Sequence, residues 1–361
     1  MADRPKVVVQ VVDSITPEVK CGLRLFAETM QFKDPDRQAE DWLYWFEQNP
    51  LEKGLFSLGR CGEEVVGIIT LIPLEMHLGR QTVKGAKAEF LVVAPAFRRA
   101  IDPETNRPLP MALVMHLYRA AKERAYRGIV GVAPPAAGLL QILAGARTLK
   151  YPATSYTRYV VPRISAGSPR ERLRGLLAVH VRKALTIAGW IQSAGLRFRL
   201  NRTGQKGRGF ERVSIRDVSD SAEAENMLVA PSDRMLPFVL RDDLHMIYRV
   251  LQNDGQPSYL VFSRPEKGKI VRLKHWTSLN LPPASLVSVL DDVVRHCRAV
   301  EADSIGIRLP LPEAIAPELA KTCQLFSRPE TGLIYLTTWL DHDIDLSPAS
   351  WRITNLHKNF I

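Results

Sequence analysis

The segment EFLVVAPAFRRA, which starts at Glu89, brings one carboxylate and two guanidinium groups close together. Glu89 is followed by apolar residues, and burial among such neighbours raises the pKa of a carboxyl towards the range of a general base. Arg98 and Arg99 follow the proline that ends the apolar run, where they could bind an anion such as a cofactor phosphate. The alternatives without a function are a solvated turn for the arginines and a structural ion pair of Glu89 with Lys84 or Lys87.

The elements that must position these groups alternate between strands and helices. KVVVQVV predicts a first strand, and the helix after it has Thr16 as N-cap and Pro17 at its first position. AEDWLYWFEQNP predicts a second helix that stops at Asn49 and Pro50. Residues 54–95 predict three or four antiparallel strands. An amphipathic helix (LPMALVMHLYRAAKERAYRG), a strand (IVGVAP), a short helix (AAGLLQILAGA) and a strand (SYTRYVVP) follow.

The second half of the chain repeats this order of elements, although its amino-acid sequence is different. Its last predicted strand is GLIYLTTW. We predict an N-terminal domain over 1–162, a basic helical linker over 163–210, a C-terminal domain over 211–345 and a tail over 346–361. The expected fold class is α/β (α+β), with two tandem domains of one kind and mixed, mostly antiparallel sheets.

Composition narrows the class of protein further. The chain has 361 residues, 46% of them hydrophobic and 24% charged, which is typical of globular proteins. The N-terminus has no signal-peptide core, and no uncharged apolar run approaches the roughly 18 residues of a membrane span. Four widely separated cysteines and eight histidines form no metal-binding pattern, so we expect no metal. A cytoplasmic protein is the simplest expectation. His116, among apolar residues of a helix, is expected to be a packed core residue.

Almost all of the net charge of +11 lies in residues 163–212, the predicted linker and the two residues after it, which contain twelve basic and two acidic side chains. Apolar residues at helical spacing lie between the arginine-rich ends of this segment. One hypothesis is that residues 170–200 contact an anionic membrane surface at the inner face of the membrane. The alternative is a helix packed between the two domains. Nucleic-acid binding is disfavoured because few aromatic residues are interleaved with the charges.

The first domain resembles the GNAT acyltransferases over its whole length. The motif V-x-P-x-x-R is present at Val93, Pro95 and Arg98. An entry pattern (W-x-x-W, N-P and a glycine) is matched by Trp42, Trp45, Asn49, Pro50 and Gly54, and GEEVVG is similar to the G-x-x-V-G strand that follows in this pattern. This pattern and the tandem layout resemble the tandem-GNAT proteins of bacterial surface-polysaccharide type, and distantly the FemX-like transferases. For Trp42 and Trp45, core packing is favoured over the wall of an acceptor cleft.

The resemblance implies an N-acyltransferase that takes acetyl-CoA or another acyl-CoA as co-substrate. Its cofactor-binding residues would be Val93, Arg98, Arg99 and Ala100, and its catalytic residues Glu89 as base and Tyr156 as acid. One departure is clear, because RRAIDPETNRPLPM replaces the glycine-rich phosphate loop of the family. Either the helix starts around Pro110 and the loop folds aside, or the phosphate site is remodelled.

Three functions follow from these patterns. The first is acyl transfer to an amine, such as an amino sugar of a surface glycan or of a lipid-linked precursor. The second is a non-catalytic scaffold with the same fold at the membrane. The third is a FemX-like transferase that uses aminoacyl-tRNA, whose tRNA binding would weaken steeply with salt.

Overall fold

The computed structural model describes residues 6–78, 81–148, 154–158, 209–218, 235–240, 243–265, 271–277, 281–300, 307–311, 326–329 and 334–339. The predicted basic linker lies almost entirely outside these residues, and so does the predicted tail. The limits of the domains, linker and tail therefore stay predictions.

Six helices lie in the described residues: α1 Pro17–Thr29, α2 Pro35–Glu47, α3 Leu109–Glu123, α4 Pro135–Leu143, α5 Leu236–Val239 and α6 Pro283–Ala299. Local signals set the first two. Thr16 caps α1 by accepting a hydrogen bond from the Val19 amide at 3.4 Å, and Pro17 occupies the first helical position, as predicted. Asp34 caps α2 in the same way, and α2 ends before Asn49 and Pro50, also as predicted.

The strands of the first half are β1 Val8–Val12, β2 Leu55–Cys61, β3 Glu64–Leu78, β4 Gln81–Val93, β5 Ile101–Asp102, β6 Arg107–Pro108, β7 Gly128–Ala133, β8 Arg147–Thr148 and β9 Thr154–Arg158. Those of the second half are β10 Phe210–Val213, β11 His245–Leu251, β12 Pro257–Ser263, β13 Val271–Trp276, β14 Ile307–Leu311, β15 Phe326–Pro329 and β16 Ile334–Trp339.

These strands form two seven-stranded mixed sheets and one small hairpin. The first sheet has the order β1-β2-β3-β4-β7-β16-β8, and the second has β10-β11-β12-β13-β14-β9-β15. Each contains one parallel pair, β4 with β7 and β13 with β14, and the remaining pairs are antiparallel. β5 and β6 pair only with each other. The expected fold class of two similar α+β units is confirmed.

The two halves exchange a strand. β9 of the first half lies between β14 and β15 in the second sheet, and β16 of the second half lies between β7 and β8 in the first sheet. The sequence prediction that SYTRYVVP closes the first unit was right about the strand and wrong about its sheet. The same is true of GLIYLTTW. Alternation along a segment predicts a strand but does not identify its partners, which are distant in sequence.

The first sheet is covered on its two faces by different helices. One face packs under α3, in an apolar cluster that includes Ala86, Ala88, Leu113 and Leu117. The other packs against α1 and α2, in a cluster that includes Phe90 and Val92 and extends to side chains of the second half. β4 contributes to both clusters, so it has no solvent-facing side over its central residues.

Candidate functional site

The first sheet opens at the point where β4 and β7 separate. Their parallel pairing covers Gly85–Ala88 and Gly128–Gly131, and within the described residues no pair joins them beyond Ala88 and Gly131. β4 nevertheless continues to Val93, paired with β3, and β7 continues to Ala133, paired with β16. We call the resulting gap, between 89–93 on one side and 132–133 on the other, the wedge. Its backbone groups are free of β4–β7 pairing and can bind an extended ligand.

A β-bulge lies in β4 where the wedge begins, next to the last β4–β7 pair. Thr70 of β3 pairs with Glu89 and Ile68 pairs with Val92, so that two residues of β4 lie opposite one residue of β3. Phe90, the first residue of the bulge, has φ +57°, a conformation that costs a bulky residue about 1–3 kcal/mol. Bulges of this kind redirect side chains and are common beside functional sites.

Alternation along β4 sets the face that Glu89 occupies, and the bulge sets the face of Phe90. Ala86 and Ala88 lie in the cluster under α3, so the alternation along β4 turns Lys87 and Glu89 to the opposite face, towards α1 and α2. Phe90 also packs on that face, against Trp42, with ring centroids 4.8 Å apart. The bulge therefore places a charged and an aromatic side chain side by side on one face of the sheet.

Glu89 forms an ion pair with Lys87 in nearly dry surroundings. The Lys87 side chain is 1% exposed and that of Glu89 is 16% exposed. Burial raises the pKa of Glu89 and lowers the pKa of Lys87, in each case against the attraction of the partner. The pairing of Glu89 with Lys87, the structural alternative, is therefore what the structure contains. This ion pair is compatible with a catalytic role, because a partly accessible carboxyl with a raised pKa is a stronger base than an ordinary glutamate.

The arginine pair lies at the exit of β4. Arg98 and Arg99 are both exposed, whereas Ala100 and Val93 are buried. The Arg98 Nε donates a hydrogen bond to the Val93 carbonyl at 3.3 Å, which folds this side chain back over the end of the strand. Neither arginine has an acidic partner among the described residues, so both charges are available to an anion.

The long segment after Arg99 is an ordered hairpin rather than an open loop. β5 and β6 form its two sides, and Asp102 holds its turn by accepting hydrogen bonds from the Thr105 amide at 2.8 Å and hydroxyl at 2.7 Å. His116 of α3 lies 3.2 Å from the same carboxylate. Burial raises the pKa of Asp102, but the hydrogen bonds from Thr105 and His116 outweigh burial and lower it overall. His116 is thus a buried residue that anchors the hairpin, consistent with its expected packing role.

The hairpin changes what the start of α3 offers to phosphates. α3 begins at Leu109, next to the predicted start at Pro110. The Leu109 amide already donates to the Ala100 carbonyl at 2.8 Å, and Pro110 has no amide hydrogen. Of the backbone donors that a helix N-terminus normally leaves free, Met111 retains one. Anion binding here would therefore depend on Arg98 and Arg99 more than on the helix.

Comparisons with known proteins identify a fold but no protein family. No family model matches the chain, and no curated protein matches it. A GCN5-related N-acetyltransferase from Kribbella flavida superposes with a TM-score of 0.54 at 12% identity, over 93% of this chain and 72% of that one. A GCN5-related N-acetyltransferase from Anabaena variabilis gives 0.50 at 14%, over 91% and 72%. A conserved Enterococcus faecalis protein of unknown function gives 0.54 at 11%, over 92% and 73%.

The chain has the fold of the GCN5-related N-acetyltransferases. Because these matches cover more than nine-tenths of the chain, both halves take part in the likeness. At such low identity the likeness establishes the GNAT fold alone. The surface-polysaccharide and FemX-like subtypes stay predictions.

The GNAT fold brings some of the predicted site residues together and separates others. Glu89, Val93, Arg98 and Arg99 lie on or directly after β4. Tyr156 lies in β9 of the second sheet, where its backbone is in register with Leu309 and Ser327. The two predicted catalytic residues therefore belong to different sheets, and the role of Tyr156 as acid stays a prediction.

The tryptophans of the entry pattern lie in the core. Trp42 is 2% exposed, and its ring packs against Phe26 and Phe90. Trp45 packs edge-on against Phe238 of the second half, with centroids 5.4 Å apart, and Tyr44 stacks on the same ring at 5.7 Å. Helix α2 thus joins the face that carries Glu89 to the second half of the chain.

Two classes of site are not found in the described part of the chain. No group of three or more His, Cys, Asp or Glu side chains there could hold a metal ion. No helix in the same residues has the length and apolar character that crossing a membrane requires.

Proposed function

We propose that the chain is an acyl-CoA-dependent N-acyltransferase that acts on an amine acceptor. The observation that carries the proposal is the wedge, with a bulge and a partly accessible carboxyl of raised pKa next to its last β4–β7 pair, in a protein of GNAT fold. An acyl-pantetheine arm is narrow and extended, and it carries amide groups that pair with free strand backbone. The wedge is suited to such an arm.

The phosphates of the co-substrate would lie at the exit of β4. Arg98 and Arg99 supply exposed charge there, and bidentate contacts between guanidinium and phosphate are among the stronger hydrogen bonds in proteins. Val93 and Ala100, both buried, fix the ends of the short segment between them. Acetyl-CoA is the simplest co-substrate to test.

Glu89 is the proposed base. A protonated amine gives a proton to the Glu89 carboxylate, and the neutral nitrogen then attacks the thioester carbon. The new C–N bond forms as the C–S bond breaks, and the proton that the nitrogen then loses is taken up by the leaving CoA thiolate. The acceptor would approach from the side of α1 and α2, because Glu89 lies on that face. An amino sugar of a surface-glycan precursor is the acceptor class that the sequence resemblance favours.

Substitution of Glu89 tests the assignment. We expect Glu89→Gln to lower turnover by about 10²–10⁴-fold, the usual contribution of a general base, and to leave acetyl-CoA binding unchanged. Turnover is followed by CoA release with a panel of amines that includes amino sugars, and binding by titration calorimetry. Glu64→Gln, at an exposed glutamate of β3, is the matched control. Equal loss of binding and turnover in Glu89→Gln would refute the role of Glu89 as base.

A second candidate function has its own supporting observation. The start of α3 has lost most of its free amides, which is a change expected in a scaffold that no longer binds phosphates. Calorimetry separates the two functions. Micromolar acetyl-CoA binding that is lost in Arg98→Ala/Arg99→Ala, and kept in the exposed-arginine control Arg147→Ala, supports the enzyme. Absence of binding to the intact chain supports the scaffold.

Contact of residues 170–200 with an anionic membrane surface is part of the same proposal and rests on the sequence alone. It is tested by sedimentation with vesicles of neutral lipid and of neutral lipid mixed with anionic lipid. Binding to both vesicle types, or to neither, would refute an electrostatic contact.

A further inference from the structure

The outer edge of β1 is open. β1 is the first strand of the first sheet and pairs with β2 alone, in consecutive pairs from Val8 with Arg60 to Val12 with Phe56. No other hydrogen bond joins Val8–Val12 to the part of the chain that the structure describes. The backbone N–H and C=O groups that point away from β2 are therefore left to solvent or to a partner strand.

The other outer strands of the two large sheets have features that prevent such pairing. β8 has only two residues, one of them Arg147, β10 contains Glu211 and Arg212, and β15 contains Arg328 and ends at Pro329. Charged side chains, proline and short length are the usual protection of an exposed edge. β1 has none of these, because VVQVV is uncharged, contains no proline and pairs with β2 without a bulge.

The sequence of β1 reads the same in both directions. In an antiparallel pair of two copies centred on Gln10, Val8 lies opposite the partner's Val12, Val9 opposite the partner's Val11, and Gln10 opposite the partner's Gln10. Directly opposite residues share a face of the sheet, so valine meets valine and carboxamide meets carboxamide. A register centred on Val9 or on Val11 would place Gln10 opposite a valine, so the register centred on Gln10 is favoured.

The side chains of β1 also leave apolar surface for a partner to cover. Val9 and Val11 pack against the cluster under α3, and Val12 packs against the cluster on the side of α1 and α2. Val8 is 53% exposed, and Gln10 is exposed as well. In the paired arrangement the partner's Val12 lies directly opposite Val8 on the same face and covers it.

We propose that β1 is a dimerisation edge, at which a second copy of this chain pairs antiparallel with VVQVV about a twofold axis at Gln10. A twofold dimer uses the same surface on both copies, and a strand that reads identically in both directions is complementary to itself. The two first sheets then form one continuous sheet, with seven strands from each copy.

This dimer leaves each candidate site complete. β4 runs antiparallel to β1, and the twofold axis reverses every strand of the second copy, so the two wedges open at opposite ends of the joined sheet. Neither wedge takes a residue from the partner. The inference therefore does not rest on the proposed acyltransferase function, and turnover per chain should be the same in monomer and dimer.

The test measures the mass of the full chain by sedimentation equilibrium between about 1 and about 300 µM, a range that brackets the weak affinity of a short edge. We expect the native chain to form a concentration-dependent dimer. Gln10→Lys brings two like charges together at the axis and should raise the dissociation constant about fivefold or more, as should Gln10→Glu. Gln48→Lys, at an exposed residue directly after α2, is the control and should dimerise like the native chain.

A mixture of Gln10→Lys and Gln10→Glu separates loss of pairing from loss of folding. Opposite charges then meet at the axis, so the mixture should dimerise at least as tightly as the native chain. Recovery in the mixture requires both variants to be folded.

Three results would overturn the inference. The first is a native chain that stays monomeric over the whole concentration range. The second is a dimer that neither Gln10 variant weakens more than Gln48→Lys does, which would place the interface on another surface. The third is weakening in both Gln10 variants without recovery in their mixture. Binding of acetyl-CoA tests the proposed function separately, because the Gln10 variants leave the wedge unchanged.

Discussion

Replacing Lys87 by methionine removes the cation beside Glu89 and leaves the carboxyl in the same buried surroundings. The Glu89 side chain is 16% exposed, so water can relieve only part of the lost attraction. Breaking a buried ion pair from one side costs about 3–5 kcal/mol. We take the lower figure because of that residual exposure. At about 2–4 °C per kcal/mol, Lys87→Met should melt about 6–12 °C below the native chain near pH 7.

The sign of the pH dependence follows from the pKa shifts. In Lys87→Met, Glu89 keeps a pKa raised by burial, so the folded state binds its proton more tightly than the unfolded state. Stability then falls as the pH rises from the unfolded pKa, about 4.3, through the folded pKa. In Glu89→Gln, burial lowers the pKa of Lys87, so the unfolded state binds its proton more tightly. Stability then rises with pH, between the folded pKa of Lys87 and its unfolded value of about 10.4.

The assay is thermal unfolding followed by circular dichroism between pH 5 and pH 9. The double variant Lys87→Met/Glu89→Gln, which lacks both titrating groups, is the reference at each pH. Relative to it, Lys87→Met should lose stability and Glu89→Gln should gain stability as the pH rises. The double variant should be less destabilised than either single variant, because no uncompensated charge is left buried.

Slopes of the same sign in the two single variants, or no slope in either, would refute a buried pair. Glu89 would then titrate as an ordinary surface glutamate, and its assignment as a base with a raised pKa would lose its physical ground. In an active preparation the same shift has a kinetic counterpart. The acidic limb of the pH profile of kcat/KM should move to higher pH in Lys87→Met.

Four further substitutions test how the site is held, each by thermal unfolding. Asp102→Ala removes the acceptor of the hairpin turn and should cost about 2–4 kcal/mol, whereas Thr105→Val, which loses one of those bonds, should cost less. Gly54→Ala places a Cβ 2.6 Å from the Leu71 carbonyl at φ +86° and should cost more than about 2 kcal/mol, so a neutral result would contradict the backbone geometry. Phe238→Ala removes the ring on which α2 packs and should cost about 3–5 kcal/mol.

The sequence predicts those structural features that neighbouring residues determine, such as helix starts and turns. Thr16 and Pro17 mark the start of α1 because a cap and a fixed φ act within one turn. The three strands β2 to β4 follow from alternation and turn residues. The two arginines proposed to bind an anion can also be located from the local sequence, since they come three and four residues after Pro95, the proline that follows β4.

What the sequence misses depends on contacts between distant residues. Lys87 and Glu89 are two residues apart, the spacing that puts both side chains on one face of a strand. Nothing in the sequence indicates the bulge at Phe90 or the extent to which Lys87 is buried. The open edge of β1 is missed for the same reason, because it depends on which strands the rest of the chain places beside β1. The hairpin after Arg99 was expected as a loop, although Asp102 and Asn106, at φ +52°, are residues that favour tight turns.

The strand exchange changes how the second half of the chain contributes to the candidate site. Glu89 and the two arginines belong to the first half, yet one wall of the wedge is β7, and β7 pairs along its whole length with β16 of the second half. Without β16, the outer edge of β7 would be unpaired and β8 would lose its neighbour. The second half likewise needs β9 of the first half between β14 and β15. Each sheet is therefore complete only in the presence of the other half. The strand that pairs with this wall of the wedge therefore lies more than 200 residues away from β7 along the chain.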